Sequence, residues 1–208
     1  MHAIITDGSM SKIINHPKPL VRGDVQYPAR IFSVWTASEL AAIGIIEVTF
    51  DDSKKKDEKY YINTDQTYTY DADAGTVTAT YGDATAKAHA DTTWSQQDSD
   101  DGDLPSDKSV GDVKTRGLKY NLIRDLKITV ANELAKTDWY ITRNTEKSTA
   151  IPSAISTHRD AVRTKQAEME TAITNASDTP ALETLYTYTK QEDGSVTRPL
   201  GELPTLES

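Results

Sequence analysis

The chain has 208 residues, a formal net charge of −9 at pH 7 and no cysteine. The lack of cysteine excludes a disulfide framework, a thiolate nucleophile and a zinc–thiolate site, and the acidic balance argues against binding of nucleic acid through clustered lysine and arginine. No basic leader with an apolar stretch and no run of about 18 apolar residues is visible, so the sequence predicts neither a secretory signal nor a membrane span.

The supply of core side chains is small. Leucine, isoleucine, valine and phenylalanine make up about 19% of the residues, which is close to the composition at which chains begin to be disordered. We therefore expect the protein to form a homo-oligomer or to lie among unlike subunits, where contacts between chains add to the core.

The first thirty residues contain short apolar pairs and three prolines, Pro17, Pro19 and Pro28. Proline fixes the backbone and removes a hydrogen-bond donor, so this pattern permits edge strands but no long helix. The pattern predicts an extended N-terminal arm together with a strand.

A helix start follows the arm. The segment from Thr36 to Glu39 fits a capping box, and Trp35 and Leu40 occupy the two positions of a hydrophobic staple. The helix is predicted to end by Ile43, because the next residue is a glycine suited to a left-handed turn.

β-structure is predicted next. Residues 45–50 are β-prone, residues 51–59 form a solvated loop of mixed charge, and residues 67–70 and 76–81 are rich in threonine and tyrosine on either side of an Asp/Gly turn. These features predict a strand and a β-hairpin.

An acidic segment follows and is typical of a linker, since Asp98, Asp100, Asp101 and Asp103 stand among serine, glycine and proline. We place the domain boundary there. The prediction is a β-rich docking domain in residues 1–97, including the N-terminal arm, an acidic linker in residues 98–111, and a helical hairpin domain with a C-terminal β-hairpin in residues 112–208.

The C-terminal half has a helical period. Leucine or valine recurs every four residues, which predicts a helix from Asp112 to about Thr145 with a candidate break at Thr137-Asp138. The members of this stripe are Leu118, Leu122, Leu126, Val130 and Leu134. A second helix is predicted from Pro152 to Asn175, with an apolar stripe of Ile155, Val162, Met169 and Ile173. Residues 185–189 and 195–198 flank a turn at Gly194 and predict a terminal β-hairpin. The expected fold class is therefore α+β.

No catalytic or cofactor site is predicted. The four histidines, His2, His16, His89 and His158, lie on separate segments, and the sequence has no glycine-flanked nucleophilic serine and no phosphate-binding glycine loop. The Asp98–Asp103 run and the Asp71/Asp73 pair carry hard oxygen ligands for calcium, but neither has the EF-hand spacing. A solvated loop and a hairpin turn are the simpler interpretation, and no enzyme activity and no metal site are expected.

The most distinctive segment of the sequence is Asn132–Arg143, which includes Leu134-Ala-Lys-Thr137-Asp138-Trp139. With His158-Arg159-x-x-Val162-Arg163, this segment resembles the tail assembly chaperone-like domain of many bacteriophage tail and tail-fibre-associated proteins. In that family a Leu-x-x-Thr-Asp-Trp element ends one helix and a Tyr-Arg-x-x-Leu-Arg-like element lies on the next. The second element departs from the pattern here at His158 and Val162. Residues 27–45 also look like the start of such phage proteins.

The resemblance implies a non-catalytic structural protein of the virion, in the tail, the tail fibres or their attachment region. Its partners would be other phage structural proteins and copies of itself, and no nucleic acid, membrane or cofactor is expected to bind. The protein would be located in the virion, and in the host cytoplasm during assembly. The alternatives are a cytoplasmic assembly chaperone that is not retained in the virion, and an enzyme such as a glycan-degrading tail protein. The candidate partner-contact residues are Trp35, Leu40, Trp139, Arg159 and Arg163; for Trp139 a purely structural place in the helix corner is the alternative.

Overall fold

The computed structural model describes residues 1–206. The chain divides after Thr85 into two compact units. The first unit is rich in strands and the second is mainly helical, with a β-hairpin near its end, so the predicted α+β class is confirmed. Within the described residues, no helix is both long enough and apolar enough to cross a membrane.

In chain order, the first unit contains β1 (His2–Thr6), β2 (Ser9–Ile14), β3 (Leu20–Arg22), β4 (Val25–Tyr27), α1 (Ile31–Val34), α2 (Ala37–Ala42), β5 (Ile45–Asp51), β6 (Tyr61–Ile62), β7 (Thr67–Asp71) and β8 (Thr76–Thr80), with β9 (Thr85–Ala86) at its end. Five of these strands form a sheet in the order β2-β1-β5-β8-β7. The β5–β8 pair is parallel and the other neighbouring pairs are antiparallel.

The sheet buries one side of its strands. Ala3, Ile5, Val48, Val77 and Ala79 form one core cluster. In β1 and β8 the buried residues alternate with less buried ones, as expected when one face of a sheet packs and the other faces solvent. The predicted strand at residues 45–50 and the predicted hairpin, now β7–β8, are confirmed.

The structure corrects the prediction of an extended N-terminal arm. Residues 2–27 form two antiparallel hairpins, and β1 lies inside the sheet between β2 and β5. Asp7 and Gly8, which close the first hairpin, have φ values of 51° and 73°. Two successive residues in the left-handed conformation form a type I′ turn, whose twist matches the twist of the flanking strands. Asp-Gly is a common sequence for this turn. The prolines lie after β2, where they do not interrupt the sheet.

The predicted capping box is present at the start of α2. The Thr36 hydroxyl accepts a hydrogen bond from the Glu39 amide, and the Glu39 carboxylate accepts one of 2.7 Å from the Thr36 amide. That second bond, together with the one from the Thr36 hydroxyl, lowers the pKa of Glu39. Gly44 follows the helix at φ +72°, so the predicted left-handed stop is also confirmed.

The second unit contains β10 (Thr92–Thr93), α3 (Gln96–Asp100), β11 (Val113–Thr115), α4 (Leu118–Ala135), α5 (Asp138–Lys147), α6 (Ser153–Asn175), α7 (Thr179–Tyr186), β12 (Thr189–Lys190) and β13 (Val196–Thr197). Helices α4 and α6 pack together. The two predicted apolar stripes lie on the facing sides of these helices. Leu134, the last member of the α4 stripe, is half-buried. The other members are buried, namely Leu118, Leu122, Leu126 and Val130 on α4, and Ile155, Val162, Met169 and Ile173 on α6.

Two features of this half differ from the prediction, namely the start of the first helix and an additional helix, α7. The first helix begins at Leu118, because residues 113–115 form a strand paired with β10. The candidate break at Thr137 is confirmed, and the residues predicted to continue the helix beyond it form α5 as a separate helix. Helix α7 was missed, although Asp178 caps it by accepting a 2.8 Å hydrogen bond from Ala181 and Pro180 lies in its first turn.

The acidic segment is not an open linker. It lies inside the second unit, where Ser95 and Asp98 form a capping box for α3. The Asp98 carboxylate also pairs with Lys114 on β11. Composition alone predicted a linker because the cation that neutralises Asp98 comes sixteen residues later in the chain.

Candidate partner-contact site

The segment from Leu134 to Trp139, which resembles an element of phage tail proteins, forms the junction between α4 and α5. Thr137, at this junction, is 2% exposed, and its hydroxyl donates a 3.0 Å hydrogen bond to the Leu134 carbonyl oxygen. Arg159 on α6 donates from Nη1 to the same carbonyl at 2.7 Å and to the Thr137 hydroxyl at 2.6 Å. A side chain from the second long helix therefore holds the junction.

The electrostatics favour an arginine at this place. The last carbonyl groups of a helix have no partner inside the helix, and the C-terminal end of the helix dipole is negative. The Arg159 guanidinium supplies both a donor and a positive charge there. Arg159 is 7% exposed, and its charge is compensated by the Asp138 carboxylate, 2.9 Å from Nη1. The α4–α5 junction is thereby fixed on α6.

Trp139 points the other way. Its side chain is 62% exposed, because each step along a helix turns the side chain by about 100° and Thr137, two residues earlier, faces inward. The structural alternative, with the indole filling the helix corner, is therefore wrong. The corner is filled instead by Thr137 and the Arg159 guanidinium.

Arg143 adds to the surface around Trp139. It lies one helical turn further along α5, with its guanidinium carbon 5.9 Å from the Trp139 ring centre and 5.5 Å from that of Tyr140. Both distances are within the range of a cation–π interaction. Arg143 was not among the predicted site residues, although the four-residue spacing from Trp139 was visible in the sequence.

The other predicted contact residues lie in different settings. Leu40 is buried in the cluster formed with Ile31 and Ile45, and Trp35 is half-buried against that cluster, with its ring 5.6 Å from Tyr27 in an edge-on arrangement. Both belong to the first unit. Arg163 on α6 is exposed and pairs with Asp160 at 3.3 Å. Trp139 follows Asp138 in the chain, and Arg159 pairs with the Asp138 carboxylate.

A second polar group lies next to the junction. His158 is 7% exposed, and its Nε2 is 3.5 Å from a Glu133 carboxylate oxygen. The hydrogen bond from the Lys136 ammonium is the largest cause that lowers the pKa of Glu133. His158 therefore lies on the packed side of α6.

Two of the carboxylates considered for calcium, Asp71 and Asp98, have hydrogen-bond partners within the protein. Asp71 accepts hydrogen bonds of 3.0 Å from the amides of Asp73 and Ala74, which closes the β7–β8 turn. The pKa of Asp98 is held well below its usual range by the Lys114 ammonium and by Ser95. Within residues 1–206, no group of three or more His, Asp or Glu residues is placed to hold a metal ion.

Comparisons with protein families, with curated proteins and with solved structures give no match for this chain. The candidate site is therefore interpreted from its own geometry, in which polar residues fix a helix junction and an aromatic residue faces solvent.

Proposed function

We propose that this chain is a non-catalytic structural component of a bacteriophage virion, in the tail, the tail fibres or their attachment region. It acts through contacts with other virion proteins and with copies of itself. The observation that carries the proposal is the opposite orientation of Thr137 and Trp139, in the segment that resembles phage tail proteins. The threonine is buried against α6 and the tryptophan is presented to solvent.

This arrangement suits a contact surface. Tryptophan and arginine are enriched among the residues that contribute most to binding between proteins. A contact residue binds more tightly when its backbone is already ordered, because less conformational entropy is lost on association. Here Arg159 and Thr137 fix the junction next to Trp139, and Arg143 lies against the indole. The surface of Trp139 and Arg143 is called the α5 surface below.

The proposal is tested by quantitative mass spectrometry of purified phage particles. A virion component is present at a fixed ratio to the other tail proteins after the particles are banded in a density gradient. If the chain is absent from particles but co-purifies with a tail protein from infected cells, it is an assembly chaperone and the proposal is overturned.

A pair of variants then tests the α5 surface. Trp139→Ala removes the exposed indole, and Tyr188→Ala is the matched control, since Tyr188 is an exposed aromatic residue at 52% in the same unit. We expect Trp139→Ala to lower incorporation into particles by about tenfold or more, the loss typical of an interface hot spot, and Tyr188→Ala to leave it unchanged. Equal incorporation of both variants would remove Trp139 from the contact.

A further inference from the structure

Helix α4 has apolar side chains on a second face. Its inner stripe, from Leu118 to Val130, is buried. On the opposite side, Tyr120 is 43% exposed and Ile128 is 54% exposed. A helix that packs on one side and faces water on the other normally carries polar residues outward. An isoleucine in the middle of the outer face indicates a surface that a second helix can cover.

The outer face is also shaped for a helix. A groove of about 410 Å³ runs along it, and its lining residues are Tyr120, Arg124, Lys127, Ile128 and Ala131. Tyr120, Arg124 and Ile128 form one row at four-residue spacing, and Lys127 and Ala131 form the next row. The groove between two such rows is the feature that accepts the side-chain ridge of another helix.

The charge of the groove selects the partner. Its lining includes two cations and no carboxylate, although the chain as a whole has a net charge of −9. Arg124 contacts Asp125 at 3.0 Å and Lys127 contacts Glu170 at 3.6 Å, and both cationic side chains are more than half exposed. Exposed ion pairs of this kind contribute little, so both cations remain open to a stronger partner.

We propose that the outer groove of α4 docks an acidic amphipathic helix of another protein. Aliphatic side chains of that helix lie between the two rows, against Ile128 and Ala131, and flanking carboxylates pair with Arg124 and Lys127. A second copy of this chain is a poorer occupant, because a two-fold pairing of the same face places like charges together. The inference rests on α4 alone and goes beyond the virion assignment.

The test uses the full chain and two synthetic helical peptides of about 20 residues, a length that supports helix formation. Both carry leucine and isoleucine at heptad a and d positions; one has glutamate at the flanking positions and the other has lysine. Fluorescence anisotropy of the labelled peptides gives Kd. We expect the glutamate peptide to bind in the micromolar range and the lysine peptide to bind at least tenfold more weakly.

Two variants locate the binding. The double reversal Arg124→Glu/Lys127→Glu should weaken the glutamate peptide about tenfold or more and should allow the lysine peptide to bind. The matched control, Lys147→Glu/Lys190→Glu, reverses two exposed cations outside the groove and should leave both Kd values unchanged. Circular dichroism of each variant checks that the helices are retained.

Three results would overturn the proposal. The first is no binding of the glutamate peptide, and the second is an equal loss of binding in the control variant. The third is a dimer in light scattering that Ile128→Asp converts to a monomer, since the occupant would then be a second copy. Particle mass spectrometry reports where the chain resides and the peptide titration reports on the groove, so a failure of one proposal is distinguished from a failure of the other.

Discussion

The guanidinium of Arg159 lies 2.7 Å from the carbonyl oxygen of Leu134, so a residue near the start of α6 closes the last turn of α4. The two residues are 25 positions apart in the chain. The helical hairpin is therefore joined by a charged hydrogen bond as well as by its apolar stripes. The same guanidinium contacts Thr137 and Asp138.

Arg159→Met should destabilise the second unit by about 1.5–3 kcal/mol, the range for hydrogen bonds that involve a charged group. Methionine keeps most of the aliphatic length but cannot donate to Leu134 or Thr137. Arg163→Met, one turn further along α6, removes an exposed pair with Asp160 and should change the free energy of unfolding by no more than about 0.5 kcal/mol. Urea denaturation followed by circular dichroism measures both. Equal effects would mean that Arg159 does not stabilise the junction.

The two faces of α4 should respond differently to truncation. Leu122→Ala or Leu126→Ala removes a buried side chain and should cost roughly 2–5 kcal/mol, because the lost burial and the cavity both count. Ile128→Ala on the same helix truncates a side chain that is 54% exposed, and the expected cost is within about 0.5 kcal/mol. Amide hydrogen exchange along α4 compares the three variants. A large cost at Ile128 would place that residue in the core.

The sequence predicted what depends on local periodicity and local hydrogen bonds. The stripes of α4 and α6, the capping box at Thr36 and the stop at Gly44 each involve residues within a few turns of one another. These features are confirmed because the side chains that decide them are close in the chain.

What the sequence did not predict depends on distant partners. The parallel pairing of β5 with β8 and the interior place of β1, between β2 and β5, come from contacts between separated segments. Asp98 was assigned to a linker because its partner Lys114 lies on a later strand. At the candidate site, the motif was visible, but the inward role of Arg159 and the outward direction of Trp139 required the packing of α4 on α6.

The acid dependence of the second unit should include a contribution from Asp98. Hydrogen bonds from Lys114 and Ser95 hold the pKa of this carboxyl below its ordinary value of 3.8 in the folded chain. A lowered folded-state pKa means that the ionised group stabilises the fold above about pH 4, and that this contribution is lost as the pH falls below 3.8. Acid therefore weakens this part of the fold.

Asp98→Asn should make the free energy of unfolding fall less steeply below pH 4 than it does in the wild-type chain. Lys114→Met should reduce the same slope, because it removes the first cause of the lowered pKa. If both residues act through one pair, the double variant should show little further change. Urea denaturation between about pH 2.5 and 6 provides the slopes, and identical slopes in all four proteins would exclude the pair as a source of acid sensitivity.

Gly44 joins α2 to β5 at a position where a side chain has no room. Its φ of +72° is in the left-handed region, and an added Cβ would lie 2.6 Å from the Ile5 carbonyl oxygen and 2.6 Å from Nη2 of Arg22. Arg22 is fixed there by a 2.9 Å hydrogen bond to the Ile43 carbonyl. The arginine can move aside, but the Ile5 carbonyl belongs to β1 and is part of the sheet.

Gly44→Ala should therefore destabilise the first unit by roughly 2–4 kcal/mol, since backbone strain and a backbone clash add together. Gly75→Ala is the matched control, because Gly75 has a φ of +65° with no heavy atom within 4 Å of the added Cβ; its expected cost is about 1 kcal/mol, from backbone strain alone. Amide hydrogen exchange in β1 and β5 measures the difference. A cost at Gly44 no greater than at Gly75 would show that the sheet relaxes around the new methyl group, and that the close approach of Ile5 is not a fixed feature of this unit.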